Sequence, residues 1–241
     1  MKLGLIGYGK MGQGISEAAQ ESGHEVTAIV ASGHPSSMAS DLRAELVDSC
    51  DVCIDYTHPS VVVDHIKQLA SLGKDMVVGT TGWEEYLPEV KSCVEAFGVG
   101  LIYAPNFSIG VHLFHRLVQH AAGLFNGFEE YDVSVQEVHH RHKVDCPSGT
   151  ALSLARLLVE ELDRKESIHS GGPLESNQLQ VCSSRVGEVP GEHAVLFDAK
   201  QDTICLTHTA RSRAGFIVGT LRAAEWVQGR RGVFTLDDML R

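Results

Sequence analysis

Short apolar runs alternate with segments of helical spacing through the first hundred residues of the chain. The apolar runs cover residues 3–6, 25–30, 51–56, 76–78 and 99–103. Helical spacing occupies residues 11–19, 60–72 and 84–97. Strands that alternate with helices indicate βαβ units in a parallel sheet, and a wholly apolar run such as 76–78 favours a sheet covered on both faces.

The pattern changes after residue 109. Helical spacing recurs at 109–125, 151–162 and 216–226, and strand-like runs occupy 131–138, 178–184, 193–197 and 203–209. This order predicts an α/β fold whose Rossmann-type, parallel-sheet domain is built from residues 1–109 and 214–241. Residues 110–213 are predicted to form a second, α+β domain for substrate binding and assembly, with an open antiparallel or mixed sheet.

Composition narrows the class of protein. Of the 241 residues, 43% are hydrophobic and 21% are charged, as in a globular enzyme, and no apolar stretch approaches the roughly 20 residues of a membrane helix. The first residues show no secretory signal, so we expect a cytoplasmic protein that does not bind membranes. The net charge of −11 opposes binding to nucleic acid, and any small anionic ligand would need a local cluster of cations.

Six cysteines are scattered along the chain, and two of them, Cys50 and Cys53, form a C-x-x-C pair. Such a pair is typical of a redox site or of half a zinc site. Cys53 lies inside an apolar run, however, and no second pair completes a tetrahedral metal site. We therefore expect reduced, buried or half-buried thiols and no metal.

A dinucleotide-binding motif follows the first strand. The sequence Gly7-Tyr8-Gly9-Lys10-Met11-Gly12 is G-x-G-x-x-G between a strand and a helix. Its glycines allow the tight turn, the approach of backbone to a pyrophosphate and close helix–strand packing, and the helix N-terminus supplies N–H donors. A chance glycine cluster in a βα turn is the alternative, but the position of the motif favours the functional interpretation.

The choice of nicotinamide cofactor is left open by the second strand. NAD-binding folds usually carry an acidic residue about 20 residues after the motif, whereas this strand ends in Val30-Ala31-Ser32-Gly33-His34. Ser32, His34 or Lys10 could contact a 2′-phosphate, so NADPH and NADH are both compatible.

Two further turns follow strands of the first domain. They are Gly79-Thr80-Thr81-Gly82 and Ala104-Pro105-Asn106-Phe107-Ser108. Small and hydroxyl residues at the carboxyl ends of parallel strands are where a Rossmann-type ligand lies, although each segment also suits an ordinary turn.

The segment from Glu137 to Ala151 carries the densest candidate chemistry. Five consecutive basic residues, His139-His140-Arg141-His142-Lys143, precede Pro147-Ser148-Gly149-Thr150 and a helix start. Histidine is poised for proton transfer near neutral pH, and the helix start offers N–H donors to an anion. A metal site on His139, His140 or His142 is disfavoured because neighbouring strand residues point to opposite faces. A solvated basic loop is the third interpretation.

The segment resembles the E-x-H-H-x-x-K-x-D-x-P-S-G-T-A pattern of the 4-hydroxy-tetrahydrodipicolinate reductases, also called dihydrodipicolinate reductases. Other landmarks of that family occur in order along the chain. They are the glycine motif, Asp55-Tyr56-Thr57-x-Pro59, Gly79–Gly82, Asn106-Phe107-Ser108-x-Gly110, Arg185-x-Gly187-x-x-x-Gly191-x-His193 and Thr207-His208-x-Ala210-x-Ser212-Arg213.

The resemblance implies a role for each matching residue. His139 would be the proton donor or acceptor and Lys143 the second catalytic group. His140, Gly149 and Thr150 would hold the carboxylates of a small dicarboxylate imine. Cofactor contacts would come from Gly7, Tyr8, Gly9, Lys10, Met11, Gly12, Ser32, Gly79, Thr80, Thr81, Ala104, Pro105, Asn106 and Phe107. The family also implies reduction by NADPH or NADH in lysine and diaminopimelate biosynthesis, and a homotetramer.

Two rival interpretations stay open at this point. Another Rossmann dehydrogenase of amino-acid metabolism would need a nucleophilic cysteine, for which Cys146 is the candidate beside the basic cluster. A non-catalytic NAD(P)-sensing protein would bind the cofactor without any need for His139 or Lys143.

Overall fold

The computed structural model describes all 241 residues and divides the chain into two compact units. Unit 1 consists of Met1–Ile109 and Ala214–Arg241, and unit 2 of Gly110–Arg213. The chain leaves unit 1 and returns to it at neighbouring points. A Cβ built on Gly215, just after the return, would lie 3.2 Å from the Oγ of Ser108, just before the exit.

Unit 1 contains a six-stranded parallel sheet with helices on both faces. Its strands, numbered in chain order, are β1 (Lys2–Ile6), β2 (Glu25–Val30), β3 (Val52–Asp55), β4 (Asp75–Val78), β5 (Gly100–Tyr103) and β11 (Gly232–Thr235), in the spatial order β11-β5-β4-β3-β1-β2. Its helices are α1 (Lys10–Glu21), α2 (Ala44–Val47), α3 (Pro59–Ser71), α4 (Leu87–Phe97), α7 (Ala214–Val227) and α8 (Leu236–Met239). The strand order reverses between β1 and β3, and such a switch point opens a crevice beyond the carboxyl ends of the strands.

Two apolar clusters cover the faces of this sheet. Ile66 of α3 and Trp83 belong to one cluster, whereas Ile15 of α1 and Leu221 of α7 belong to the other. Side chains of a single strand alternate between the clusters, so Val77 faces one and Val78 the other. The expectation that apolar runs form strands buried on both sides is therefore confirmed.

Unit 2 has a five-stranded mixed sheet in the order β10-β9-β6-β8-β7. The strands are β6 (Asp132–His139), β7 (Ser167–His169), β8 (Gln178–Arg185), β9 (Glu192–Asp198) and β10 (Thr203–Thr209). The central strand β6 pairs parallel with β8 and antiparallel with β9. Helices α5 (Ile109–Phe125) and α6 (Gly149–Glu161) contribute Phe114, Val118, Leu154 and Leu158 to the apolar cluster of this unit.

The predicted fold class is confirmed, a parallel Rossmann-type sheet with a second mixed-sheet unit. The pattern missed β7, β11, α2 and α8, which are all short. It also ended β6 one residue early, because His139 is the last residue of the strand.

Cys50 and Cys53 are free and buried, as expected. No helix of the structure has both the length and the apolar character needed to cross a bilayer.

Candidate active site

A cavity of about 340 Å³ lies at the carboxyl ends of β1, β3 and β4 in unit 1. Its lining consists of Gly9, Lys10, Met11, Gly12, Tyr56, Thr57, Pro59, Gly79, Thr80 and Thr81. Seven of these residues are among the predicted cofactor contacts. Tyr56, Thr57 and Pro59 are additional, although the sequence marked them only as landmarks of the family.

The three motif glycines differ in what surrounds them. Gly7 has a φ of +92°, and a Cβ there would overlap the carbonyl oxygen of Tyr56. A Cβ on Gly12 would overlap the carbonyl oxygen of Gly7. Around Gly9, by contrast, no atom lies within 4 Å of a Cβ. The protein's own packing demands glycine at positions 7 and 12, but at position 9 it leaves open space beside the cavity.

The start of α1 has unused hydrogen-bond donors. Gly9 is the N-cap residue and offers no side chain to the first turn, which also carries no acidic residue. Backbone N–H groups at a helix start have no partner within the helix, and the helix dipole makes this end positive. Together with the exposed Lys10, the start of α1 has the N–H donors and the positive charge that a phosphate group requires.

Asp55, at the end of β3, holds two walls of the cavity together. Its Oδ1 accepts hydrogen bonds from the Thr57 N–H at 3.0 Å, the Thr57 hydroxyl at 2.7 Å and the Thr80 hydroxyl at 2.9 Å. Its Oδ2 lies 2.8 Å from Nδ1 of His65 on α3. Because Asp55 is 2% exposed and fully engaged, it fixes the turns after β3 and β4 rather than offering a free carboxylate.

Tyr56 forms part of the cavity wall. A Cβ on Gly79 would overlap its ring, so glycine is required for this packing. The Tyr56 hydroxyl lies 2.7 Å from the Thr220 hydroxyl of α7. Burial raises the pKa of Tyr56 to about 12 although the Thr220 contact opposes the shift, so the phenol stays neutral at working pH.

The other predicted cofactor residues do not line this cavity. Tyr8 packs edge-on against His34 with ring centroids 4.8 Å apart, and Ser32 is exposed on the loop before it. Ala104 and Phe107 are buried in an apolar cluster of unit 1. Pro105 is exposed, and the Asn106 side chain accepts a hydrogen bond from the Ser108 N–H at 2.8 Å.

A second group of candidate residues surrounds the end of β6 in unit 2. Glu137 and His139 are two residues apart on one strand and therefore share its buried face. Glu137 Oε1 accepts hydrogen bonds from the Ser148 N–H at 3.0 Å and from Arg185 at 2.9 Å. Glu137 Oε2 lies 2.7 Å from His139 Nδ1 and 3.9 Å from His193 Nε2.

The charges in this group are strongly coupled. Burial raises the pKa of Glu137, but the nearby Ser148 and Ser183 hydroxyls and the hydrogen bonds from Arg185 and the Ser148 N–H outweigh it and bring the value to about 2. Burial lowers the pKa of His139, and Lys143 and Arg185 lower it further, whereas Glu137 opposes the shift. The site thus holds a permanent carboxylate beside an imidazole that is uncharged at neutral pH.

Glu137, His139 and His193 are also residue types that bind metal ions, and their ligand atoms all lie within 4.8 Å of one another. The sequence offers a different set for this role, His139, His140 and His142. The guanidinium of Arg185, 2.9 Å from Glu137, repels a dication at this position, so the group suits acid–base chemistry better than metal binding.

The five basic residues do not form one continuous cationic surface. His139 is only 6% exposed, His140 is half-buried, and Arg141 and His142 are exposed on the loop after β6. Lys143 Nζ lies 2.8 Å from Asp145 Oδ1. The loop is therefore partly neutralised by its own acidic neighbour.

Helix α6 begins beside this loop. Ser148 caps it by accepting a hydrogen bond from the Ala151 N–H at 3.2 Å, and its hydroxyl lies 3.1 Å from His193 Nε2. Gly149 is exposed, with no atom within 4 Å of a Cβ. The Lys143 ammonium and, more weakly, the backbone N–H groups of Asp145 and Gly149 lower the pKa of Asp145. Lys143 is thus the main attraction for this carboxylate, and the start of α6 adds a smaller one.

Comparison with known proteins decides the family. The model of the dihydrodipicolinate reductase N-terminus matches residues 1–107, and that of its C-terminus matches residues 110–240. The chain belongs to the dihydrodipicolinate reductase family.

Individual relatives agree with this assignment. The 4-hydroxy-tetrahydrodipicolinate reductase of Christiangramia forsetii is 33% identical over 240 residues, which is 100% of this chain and 98% of the relative. That of Acinetobacter baylyi is 32% identical over 99% of this chain and 96% of the relative. A solved, dipicolinate-bound dihydrodipicolinate reductase from Paenisporosarcina sp. TG-14 has a TM-score of 0.80 at 25% identity and covers 98% of this chain and 97% of that one.

Several residues of this chain were missed as site residues from the sequence alone. Glu137, Arg185 and His193 were seen only as members of motifs, although they surround His139. Their positions on β6, β8 and β9 could be related only by knowing that these strands are neighbours. One signal was present, because Glu137 and His139 occupy alternate positions of a strand whose preceding alternate residues, Val133 and Val135, are apolar.

Proposed function

We propose that this chain reduces 4-hydroxy-tetrahydrodipicolinate to tetrahydrodipicolinate with NADPH or NADH, in the biosynthesis of diaminopimelate and lysine. The observation that carries the proposal is full-length membership of the dihydrodipicolinate reductase family together with a buried acid–base pair, His139 and Glu137, beside an anion-attracting helix start. The enzyme is an oxidoreductase.

The reaction is balanced as follows. Loss of water from the 4-hydroxy compound leaves a cyclic imine conjugated to a carbon–carbon double bond. Addition of one hydride and one proton saturates that double bond, so one reduced cofactor and one proton are consumed and one water is released. The protein must therefore bind a doubly negative acid, align it and deliver a proton.

The residues around the cavity of unit 1 fit a nicotinamide dinucleotide. The open space at Gly9 and the uncapped N–H groups of α1 provide room and donors for a pyrophosphate. When bound, the cofactor supplies the hydride. Lys10, Ser32 and His34 would recognise a 2′-phosphate. The nicotinamide half would be bordered by Gly79, Thr80, Thr81 and the backbone of Ala104, Pro105, Asn106 and Phe107.

We assign the dicarboxylate to the start of α6 and the loop before it. The N–H groups of Gly149 and Thr150 and the imidazole of His140 would bind its carboxylates, in competition with the internal carboxylate of Asp145. Since Nδ1 faces Glu137, His139 would take up a proton from solvent on Nε2 when the dicarboxylate binds and would then pass that proton to the substrate. Lys143 would balance the negative charge of the substrate and act as a second proton donor.

A coupled assay tests this function. A synthase that generates the unstable substrate is mixed with the purified protein, and the oxidation of NADPH and of NADH is followed separately by absorbance. His139→Ala and Lys143→Ala should each lower kcat by about 10²-fold. His142→Ala, on the exposed loop between them, is the control and should keep the wild-type rate. Wild-type rates in both test variants would contradict the assignment, and no oxidation of either cofactor by the wild type would contradict the function.

The same assay separates the two rivals. A dehydrogenase that uses Cys146 as a nucleophile would lose activity in Cys146→Ser, whereas the reductase should retain it. A sensing protein would bind NADPH but would not oxidise it in the presence of the imine.

We also propose that the enzyme is a homotetramer, as the family implies, assembled through unit 2. This proposal is supported by the edge strand β10, where Ile204 is 44% exposed, and by the exposed positions Gln136 and Cys182 on the sheet face opposite the apolar cluster. Sedimentation equilibrium should give four times the 26.1 kDa chain mass, and a monomer would contradict the proposal.

A further inference from the structure

Glu137 is a fully buried carboxylate on which three parts of unit 2 converge. Only 1% of the residue is exposed. Its Oε1 accepts hydrogen bonds from Ser148, the residue before α6, and from the Arg185 guanidinium on β8. Its Oε2 faces the His139 imidazole at the end of β6. Removing a charged group from water costs free energy unless partners compensate it. The buried position of this carboxylate is therefore explained by the groups that it organises.

The contact with His139 constrains the imidazole. Glu137 Oε2 and His139 Nδ1 approach to 2.7 Å without the alignment of a hydrogen bond, and neither atom makes a hydrogen bond elsewhere. The negative charge of the carboxylate attracts a proton and repels the lone pair of an unprotonated nitrogen, so this approach favours a proton on Nδ1. The proton-transfer atom is then Nε2, which lies at the opposite edge of the ring, where a Cβ on Gly191 would come within 3.0 Å.

The same carboxylate sets the position of the helix start. The Ser148 N–H donates to Glu137, and Ser148 is the residue that caps α6. Arg185, which donates to Glu137, also donates to the Asp145 carbonyl at 2.6 Å and so ties down the loop before the helix. A single side chain therefore links the imidazole, the loop and the N–H groups assigned to the substrate.

From these contacts we infer that Glu137 is the positioning residue of the reaction. It holds His139 in the Nδ1–H tautomer, so that Nε2 is the atom that takes up a proton from solvent and passes it to the substrate. It also holds the start of α6 in register with that imidazole. The inference rests on the proposed function for its catalytic meaning, but the tautomer and the contacts are properties of the free protein.

The other charged groups around His139 act in a known direction. Lys143, Arg185 and His193 surround the imidazole from the loop, β8 and β9, and the two cations lower its pKa. Glu137 is the carboxylate that opposes them, so its neutralisation should lower the pKa of His139 further. A merely structural side chain would change stability without moving this titration.

The test variant is Glu137→Gln, which keeps the shape and removes the charge. Imidazole ¹⁵N shifts, followed against pH in the cofactor-free protein, report the tautomer and titration of His139 without any substrate. We expect Nδ1–H in the wild type, and in the variant a titration at lower pH with loss of that tautomer. In the coupled assay kcat should fall by about 10²-fold, its pH profile should move to lower pH, and the KM for the cofactor should stay within about twofold.

Two further variants complete the experiment. Glu188→Gln makes the same chemical change at an exposed carboxylate of unit 2 and should leave the tautomer, pH profile and rate unchanged. Glu137→Asp keeps the charge on a shorter arm and should retain the wild-type direction of the His139 titration with a reduced rate.

An Nε2–H tautomer in the wild type would overturn the inference even if Glu137→Gln failed to fold. An unchanged titration and pH profile in a folded Glu137→Gln would overturn it as well. If the wild type did not reduce the imine at all, the proposed function would fail, while the ¹⁵N shifts would still decide what Glu137 does to His139.

Discussion

Single atoms decide several features of the two candidate sites. At Gly9 a methyl group would have open space in the protein, whereas at Gly7 and Gly12 it would overlap backbone oxygen. At the end of β6, the 2.7 Å approach of Glu137 to His139 couples a permanent negative charge to an imidazole. These details give the glycine motif and the basic segment separate roles, and each role can be tested.

Gly9→Ala should fold normally and bind the cofactor poorly. The added methyl group meets nothing in the protein but enters the space assigned to the pyrophosphate, so the KM for NADPH or NADH should rise by about tenfold or more. The coupled assay and a urea denaturation curve measure the two effects. Gly123→Ala, at an exposed and equally open position of α5, is the control, and its KM should equal that of the wild type. An unchanged KM in Gly9→Ala would show that the start of α1 does not bind the pyrophosphate.

His193 should make the protein less stable in acid. Burial, then repulsion from His139, lowers its pKa to about 4; His208 and His115 act in the same direction, whereas Glu137 opposes it. The unfolded chain titrates near the ordinary value of 6.5 and therefore takes up this proton first as the pH falls. The free energy of unfolding should thus decrease between pH 6.5 and 4, by about 3 kcal/mol from this group.

Urea denaturation at a series of pH values measures this loss. His193→Gln should flatten the decrease between pH 6.5 and 4, because glutamine has no proton to gain there. His120→Gln, an exposed substitution on α5, is the control and should retain the wild-type slope. A His193→Gln protein with the full wild-type slope would show that the buried imidazole is not the cause.

At the scale of the residue, the sequence was informative wherever a motif is contiguous. The glycine motif, the Gly79-Thr80-Thr81 turn and the basic segment could all be located without a structure. The partners of His139 could not, because residues 137, 185 and 193 come together only through strand pairing. The packing of Phe107 in the core was also missed, since the sequence gives no sign of which side of the sheet it faces.

The ends of strands and the starts of helices position the residues of both sites. The carboxyl ends of β1, β3 and β4 form the cavity of unit 1, and the end of β6 meets the start of α6 in unit 2. In each unit a helix start with available N–H groups stands beside a strand end. This is the arrangement expected of enzymes that bind anionic ligands.

Ser148→Ala tests the start of α6. The variant loses the capping hydrogen bond to the Ala151 N–H, which should lower the free energy of unfolding by about 1 kcal/mol, and a less well-ordered helix start should raise the KM for the dicarboxylate. Urea denaturation and the coupled assay measure these changes. Ser153→Ala, at an exposed position within the same helix, should be neutral or slightly stabilising. Equal behaviour of the two variants would contradict the role of the cap.

Periodicity located the long elements well and the short ones badly. The run predicted at 25–30 is β2 without any change of bounds, and the predicted helix at 60–72 is α3 shifted by one residue. The four residues of β11 carry no period that could be recognised, and their partner β5 lies more than a hundred residues earlier. The mixed character of the second sheet was expected, but the parallel pairing of β6 with β8 depends on register that no local pattern encodes.

The whole molecule is a chain in which one unit interrupts another. Residues 214–241 supply α7, β11 and α8 to unit 1, and Leu221, Ala223, Ala224 and Val227 of α7 belong to one of its two apolar clusters. The parallel sheet is therefore completed by residues that follow unit 2 in the sequence. Such a connection gives unit 1 many contacts between residues distant in sequence.

A fragment of residues 1–109 should consequently fail to fold. It would lack one apolar wall of the sheet and expose the edge of β5, so no cooperative thermal transition is expected by circular dichroism. Residues 110–213 contain their own apolar cluster and complete sheet, and as a separate fragment they should melt cooperatively. A cooperative transition in residues 1–109 alone would show that α7 and β11 are dispensable for the first unit.

The neighbouring positions of Ser108 and Gly215 have a consequence for how such a chain can change. Unit 1 is interrupted at a single point in the chain. Unit 2 can therefore be exchanged, enlarged or shortened there while every strand of unit 1 keeps its position. In the proposed function, nucleotide recognition and substrate choice would thereby be encoded by separate stretches of the sequence. An engineer who bridged Ile109 to Ala214 with a few flexible residues would obtain the nucleotide-binding half as one continuous, minimal protein.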